Sequence, residues 1–351
     1  MNPQIVILSH REDEHALAAL SAFSANVTPF LLDIGRAGID FMATSHGDGT
    51  LELNTRGGQR IIFSKAAFWW NRRPRVNHCA GADYHYRAVQ EAEYEAFWKG
   101  VFRHGAGGHW CNPFDNQVAA QDKIYQFHAA SSIGLKVPDT MWTNCPQEVE
   151  AFLNKHNGRV IFKMFSGTKS VWQPCRKFDD KFTPSVNYVQ FMPAIYQEYI
   201  AGDFEHRVTI FGEHCFAATA NLSESRYPAD VRIDLRLRRR KGCIDKLIEK
   251  RLREFMGRFG LSFATFDLRE REDGEVIFLE CNPMGQFLYL DNLYQGEMLR
   301  KFCEFAESHV SNHMSEPSYD GQKNEAAVHD PIESIRVPIY EAANSWLTHM
   351  N

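Results

Sequence analysis

The sequence predicts a mixed α/β and α+β protein, and three observations carry that reading. Strand-like and helix-like segments alternate over the first ~110 residues. A long amphipathic segment running to Gly260 precedes an Asp-Gly hairpin in the last third. Gly- and Asn-rich clusters punctuate the chain throughout. With 351 residues, 44% of them hydrophobic and 24% charged, it is long enough for two or three domains of about 100–200 residues each.

In chain order, "IVIL" at 5–8 reads as a buried first strand and residues 12–23 as a helix. Residues 28–34, 61–63 and 66–70 read as further strands, separated by "SHGDGT" and "NTRGG". Residues 83–102 hold Gly100 and no proline, and read as a long helix. The first domain then ends around "HGAGGHWCNP", giving a boundary at 112. "DNQVAAQDKIYQFHAASSIG" reads as one helix stopped by Gly134. "NCPQEVEAFLNKHNG" is a second helix, capped by Asn144, with Pro146 in its first turn and an apolar stripe of Val149, Phe152 and Leu153. "RVIFKMF", "AIYQEYI" and "HRVTIFG" are strands, and residues 167–184 form a mixed, loop-like segment. Ile244, Leu247, Ile248, Leu252, Phe255, Met256 and Phe259 fall at helical spacing, and Gly260 ends that helix. The expected domains are 1–112, 113–195 and 196–312, with a polar tail over 313–351.

Several classes are excluded at this level. The formal net charge is -5, which supplies no global cationic field for nucleic acid or membrane surfaces. No apolar run approaches the ~20 residues of a membrane span, and the N-terminus has neither a basic region nor a cleavage site. Eight cysteines are scattered without a CxxC pair or zinc-like spacing, a pattern that favours reduced thiols and a cytoplasmic location.

The stretch "DLREREDGEVIFLECNP", residues 267–283, carries the chemistry. With Asp273 and Gly274 as a two-residue type I′ loop, Asp267 faces Glu280, and Asn282 shares their side of the hairpin. The opposite side reads Phe266, Leu268, Ile277 and Leu279, a core face. Opposed carboxylates repel unless a cation lies between them, and an all-oxygen set suits Mg²⁺ before Ca²⁺. A solvated face neutralised by Arg269 and Arg271 is the alternative reading.

Seven motifs in order, "FWWNRRP", "QDKIYQ…GLKVPDT", "VIFKMF", "YQEYIAGDFEHRVTIFG", "ADVR", "FATFDL" and "VIFLECNPMGQFLYLD", resemble those of ATP-grasp enzymes, and more narrowly of the microviridin-type peptide maturases, the graspetide ligases. The resemblance spans roughly residues 1 to 300. It implies an ATP-grasp fold behind an N-terminal pre-ATP-grasp domain, with ATP and Mg²⁺ as cofactors. It implies that Lys123 and Lys163 face the phosphates, together with Ser166 of "FSGTKS". It places Gln197, Glu198, Tyr199 and Ile200 around the purine and Glu205 on the ribose, with Asp203 as a competing acid. Arg207 and Arg232 would act on the transferring phosphoryl and the substrate carboxylate, although an arginine in a strand at 232 could equally be an ion-pair partner. Asp267, Glu280 and Asn282 become the expected metal ligands. One departure is the phosphate-covering segment, where "KMFSGTKSVWQPCRK" is poor in glycine.

The function implied is phosphorylation of an Asp or Glu side chain of a ribosomal precursor peptide, followed by closure to an ester or amide crosslink. Partners would be that peptide (leader plus acidic core) and a second copy in a homodimer, with no nucleic acid and no membrane. The basic run "RLRRRKG" reads either as a solvated face or as attraction for an acidic peptide; Trp69, Trp70, Arg72 and Arg73 read as a cleft rim, with the two tryptophans equally readable as core. Alternatives are a ligase for a small molecule or amino acid, and a non-catalytic nucleotide-binding module.

Overall fold

Four consecutive β-branched or Leu residues start the chain's first strand, and in the computed structural model, which describes residues 2–64, 66–76, 84–104, 107–165, 173–234 and 236–315, all four are fully buried. This strand, β1 (Ile5–Leu8), is central to a parallel sheet. α1 (Glu14–Ala22) follows, capped by Asp13, whose carboxylate accepts from His15 N. β2 (Pro29–Leu32) pairs with β1. β3 (Phe41–Ser45), β4 (Leu51–Thr55) and β5 (Arg60–Ile62) then form a separate antiparallel sheet. The "SHGDGT" and "NTRGG" clusters are its two turns. Sequence reading found the turns but missed β3 and β4, whose outer residues are polar and exposed.

β6 (Phe68–Asn71), α2 (Tyr84–His104) and β7 (His109–Cys111) complete the layer, in strand order β2-β1-β6-β7. The segment expected only to end the domain therefore supplies an edge strand. Gly108 makes that possible: it has φ +88°, and a Cβ there would lie 2.4 Å from Ala66 O, while the next residue's N–H donates to Ala67 O at 2.7 Å.

The helix expected over 115–133 is two helices, α3 (Phe114–Gln121) and α4 (Lys123–Ser132). Asp122 breaks it by turning extended and capping α4 through Tyr125 N at 2.9 Å. β8 (Thr140–Thr143), α5 (Pro146–Lys155), β9 (Val160–Lys163), β10 (Arg176–Lys177) and β11 (Ala194–Glu198) build an antiparallel sheet ordered β10-β9-β11-β8, so the boundary expected at 195/196 falls inside β11. Cys145, not Asn144, is the N-cap residue of α5, because the Asn144 amide donates to Gln190 O instead.

The last body is a five-stranded antiparallel sheet ordered β14-β13-β12-β15-β16, made of β12 (Phe204–Phe211), β13 (His214–Asn221), β14 (Arg239–Gly242), β15 (Phe263–Glu270) and β16 (Val276–Asn282). α6 (Lys246–Phe259) covers it with Leu252, Phe255, Met256 and Phe259, and ends on Gly260 at φ +60°. Leu247, counted in the apolar stripe, is 53% exposed. α7 (Leu288–Asp291) and α8 (Glu297–Ser315) follow. Phe302 of α8 packs in one core with Ile5, Phe68 and Trp70 of the first sheet and Phe211 and Phe263 of the last. Trp69 and Trp70 are thus core residues and not a cleft rim. The tail expected over 313–351 lies outside the described residues from 316 onward. No helix among the described residues is long and apolar enough to cross a membrane.

Two irregularities set the hairpin's register. Only Gly274 has positive φ at its tip, and Arg271 N donates to Glu275 O at 2.9 Å, so the loop is three residues long and not type I′. This slips the ladder by one, pairing Glu270 with Val276. A bulge then slips it back: Leu268 pairs with Phe278, Leu279 is extra, and Asp267 pairs with Glu280 as expected. The core face is Phe266, Leu268, Phe278 and Cys281, not Ile277 and Leu279.

Asn112 ties this hairpin to the first layer. It is 1% exposed, its Nδ2 donates to Phe263 O and Pro283 O at 2.9 Å each, and its Oδ1 accepts from Ser262 N at 2.8 Å and Phe263 N at 3.0 Å. Asn112→Ala should leave these buried groups unpaired and lower the unfolding free energy by about 2–4 kcal/mol. Urea melts of the two proteins check this, and indistinguishable midpoints would contradict the assignment.

Candidate active site

Alternation along β12, β15 and β16 puts Glu205, Arg207, Asp267, Arg269, Glu280 and Asn282 on one face, across from the β9–β11 sheet. An open cleft lies there. Lys163, Gln197, Glu198, Tyr199, Ile200, Glu205, Arg232, Asp267 and Glu280, all singled out from the sequence, line it. Lys123, Arg207 and Asn282 touch its carboxylates from outside that lining. Ser166 lies outside the described residues.

Asp267 and Glu280 face each other with protein cations already on them. Arg207 Nη1 donates to Asp267 Oδ1 at 2.8 Å and Oδ2 at 3.1 Å. Lys123 Nζ, in the first turn of α4, donates to Glu280 Oε2 at 3.0 Å. The neutralising pair suggested from the sequence does not form: Arg269 donates to Glu205 at 2.6 Å and Arg271 to Glu198 at 3.0 Å. Burial, reinforced by Glu280, pushes the Asp267 carboxyl above its ordinary value despite Arg207. Burial acts on Glu280 too, but Lys123, Lys163 and Arg232 together hold it well below the ordinary carboxylate range.

Asn282 places its Nδ2 between them, 2.9 Å from Glu280 Oε1 and 3.2 Å from Asp267 Oδ2. Turning the amide over would present an oxygen instead, completing two carboxylates and an amide for a hard cation. No cluster of three or more His, Cys, Asp or Glu side chains converges among the described residues; the donor set is this all-oxygen trio.

Lys163 ends β9 at the cleft, and burial depresses its ammonium below the ordinary lysine value while Glu280 opposes that shift. Arg232 sits on a short 3₁₀ turn, Val231–Ile233, and not in a strand. Its guanidinium grips Asp230 with two bonds of 2.8 and 2.7 Å, leaving Nη1 3.9 Å from Glu280 Oε1. Along the linker after β11, Glu198 N donates to Asp139 O and Tyr199 N to Arg159 O, at 2.9 and 2.8 Å. Lys177 Nζ stands 3.8 Å over the Tyr199 ring.

Sequence reading missed four residues here. Leu279, the bulge residue, lines the cleft because the extra residue turns it to the same side as Glu280. Gln126 of α4 brackets Cys281, between Glu280 and Asn282, accepting from its N–H and donating to its carbonyl at 2.9 Å each. Asp13 and His15 belong to the first layer and grip the loop after β16. Asp13 accepts from Ser9 Oγ at 2.6 Å and lies 3.4 Å from Arg72 Nε; Arg72 in turn donates to Met284 O. His15 Nε2 accepts from Phe287 N at 3.0 Å and Leu288 N at 3.2 Å. No local pattern signals these contacts, which span over two hundred residues of chain.

His15 must be neutral to accept those bonds. Burial, with Arg72 adding to it, lowers its pKa from 6.5 to about 3. The folded value lies below the unfolded one, so this stability is fully present above pH 6.5 and is lost as pH falls from 6.5 towards 3. Unfolding measured by urea across that window should fall less steeply for His15→Gln, which keeps an acceptor without the titration, than for the parent. Equal slopes would remove His15 from the account.

No family profile and no curated relative matches the sequence. Solved structures do. The macrocyclase MdnC of Microcystis aeruginosa MRC, bound with precursor peptide MdnA, is 25% identical with a TM-score of 0.77, over 87% of this chain and 99% of that one. The RiPP-associated ATP-grasp ligase of Chryseobacterium gregarium, in complex with ADP and leader and core peptides, is 19% identical with a TM-score of 0.80, over 88% and 97% of the two chains. The ATP-grasp ligase PsnB, complexed with minimal precursor, Mg and ADP, is 18% identical with a TM-score of 0.72, over 88% and 97%. The chain therefore has the fold shared by the RiPP macrocyclase and ATP-grasp ligases to which it is similar.

Proposed function

We propose that the chain is an ATP-dependent ligase that phosphorylates an Asp or Glu side chain of a ribosomal precursor peptide and closes an intramolecular ester or amide. The observation that carries this reading is the convergence of Asp267, Glu280 and Asn282 with Lys123, Lys163, Arg207 and Arg232 at one end of a cleft. In this reading Asp267, Glu280 and Asn282 hold Mg²⁺, which when bound neutralises charge on the nucleotide's phosphates. MdnC and the Chryseobacterium ligase were both solved with peptides.

Position in the cleft supports the remaining roles. A purine would lie against Leu279, Tyr199 and Ile200, which line the cleft with Gln197 and Glu198 on the strand leading to them. Glu205, held by Arg269, keeps one oxygen for the ribose hydroxyls. Lys163 and Lys123 would face the phosphates; Ser166, the third residue expected there, lies outside the described residues. Arg207 and Arg232 are always charged and planar, so they bridge the transferring phosphoryl and the substrate carboxylate. The carboxylate oxygen attacks the γ-phosphorus and ADP leaves; a hydroxyl or amine of the same peptide then attacks the acyl carbon and phosphate leaves. One water is lost per crosslink. The reading carries a cytoplasmic location, where ATP is available, and the homodimer that the resemblance implies.

Incubation with MgATP and a precursor peptide carrying an acidic core should release ADP and lower the peptide's intact mass by one water per bond. Asp267→Asn and Glu280→Gln should each cut turnover by at least about a hundredfold while binding ADP without metal as the parent does. ATP left intact with that peptide, but consumed with free amino acids, would replace this reading with a small-molecule ligase. Nucleotide binding without any turnover would replace it with a nucleotide-binding module.

A further inference from the structure

The basic run "RLRRRKG" divides its side chains between the two faces of the last sheet. β14 is the edge strand of that sheet, and its ladder with β13 pairs Arg239 with Ala220, Arg240 with Thr219 and Lys241 with Ala218. Ala220 pairs onward with Glu205, and Ala218 with Arg207. Directly paired residues share a face. Arg239 therefore stands in one row with Glu205, and Lys241 in one row with Arg207 and Asp267. Arg240 belongs to the opposite face, where its 80% exposed side chain lies 3.5 Å from Glu224. The residues of β13 in the two rows are alanines, whose short side chains leave room for Arg239 to extend from the edge towards β12.

A contact shows where Arg239 ends. Its Cζ lies 5.8 Å from the centre of the Tyr289 ring, and Arg207 Cζ lies 6.0 Å from the same centre. Tyr289 is the second residue of α7, just beyond the loop that follows β16, and is 49% exposed. One ring thus meets both Arg239 and the arginine that grips Asp267. Arg239 is half-buried, its Nε is buried without an acceptor, and among the described residues its side chain makes no hydrogen bond or ion pair. The acids nearby are already taken: Glu205, in the same row, accepts from Arg269 at 2.6 Å, and Asp267 accepts from Arg207 at 2.8 Å. A half-buried guanidinium without a counter-ion carries a desolvation cost that an incoming carboxylate would offset with paired, charge-assisted hydrogen bonds.

We propose that Arg239, located by Tyr289, is a carboxylate subsite that holds a second, non-reacting acidic side chain of the peptide substrate beside the one activated at Arg207. This rests on the reading of the chain as a peptide ligase, but it is a statement about binding and is testable without turnover. Arg239 is on this account a specificity residue, and the basic run contributes a directed ligand and not only a solvated face.

The probe is fluorescein-labelled octaglutamate, with octaglutamine as the uncharged control, titrated by anisotropy against the full chain saturated with MgADP. Octaglutamate should bind and octaglutamine should not. Arg239→Gln should weaken octaglutamate by about tenfold or more. Arg240→Gln removes the same charge one residue along, on the other face, and should weaken it by under about twofold, the scale of a screened surface charge. Arg239→Lys keeps the charge without the planar fork and should lose about threefold or more; it decides the matter if melting curves show Arg239→Gln to be unfolded. Equal losses in Arg239→Gln and Arg240→Gln would mean a general basic field and overturn the subsite. So would octaglutamate binding that Arg239→Gln, or Arg239→Lys in its place, leaves unaltered. A comparable loss of MgADP affinity in the same variant would assign Arg239 to the nucleotide and overturn it as well. Arg239-dependent binding by a chain that removes no water from acidic-core precursors would sink the ligase reading alone; removal of water without Arg239-dependent binding would sink the subsite alone.

Discussion

The buried opposition of Asp267 and Glu280 is the constraint to which the rest of the structure answers. Two carboxylates taken out of water on adjacent strands cannot both be charged without cations beside them. Here four protein cations respond: Arg207 on one acid, Lys123 on the other, and Lys163 and Arg232 within electrostatic reach. Each comes from a different element, so the site assembles only when β9, α4, β12 and the 230–234 turn are all in place. A divalent ion bound at the pair would release Lys123 and Arg207 towards phosphate and substrate. Under the proposed function the same side chains would both stabilise the fold at rest and serve the chemistry.

Around that pair the protein relies on polar side chains that clasp backbone. Gln126 fixes Cys281, Asn112 fixes the start of β15 and the end of β16, and Arg72 and His15 fix the loop that follows. Each is buried, so each bond is strengthened by the low local dielectric and is costly to lose. Three of these four side chains come from residues before 113, and the fourth from α4. The first layer is therefore part of the site's frame, sharing a core with the last sheet through Phe68, Phe211 and Phe302.

The hairpin shows how a local prediction can reach the right pairing by an incomplete route. Asp-Gly predicted a turn and the Asp267–Glu280 pair, and both are present. The loop is one residue longer than a type I′ turn, and the bulge at Leu279 restores the register. The bulge also shapes the cleft, since Leu279 and Glu280 line it together. Turn type and bulges depend on packing against α4 and on the bond from Phe278 N to Lys136 O, which dipeptide preference does not encode.

The sequence by itself determined the elements whose signal is local: the buried run of β1, the amphipathic stripe and Gly260 stop of α6, and the acidic hairpin. Motif order added the ATP-grasp fold and most of the residues that line the cleft. Only the tertiary structure decided which cation meets which acid, that Trp69 and Trp70 are core, that Asp122 splits a helix to aim Lys123, and that Arg72 and His15 hold a loop more than two hundred residues away. The reason is physical. Periodicity and turn chemistry report what a segment does with its own backbone, whereas burial, desolvation and ion pairing depend on neighbours brought close only by the completed fold.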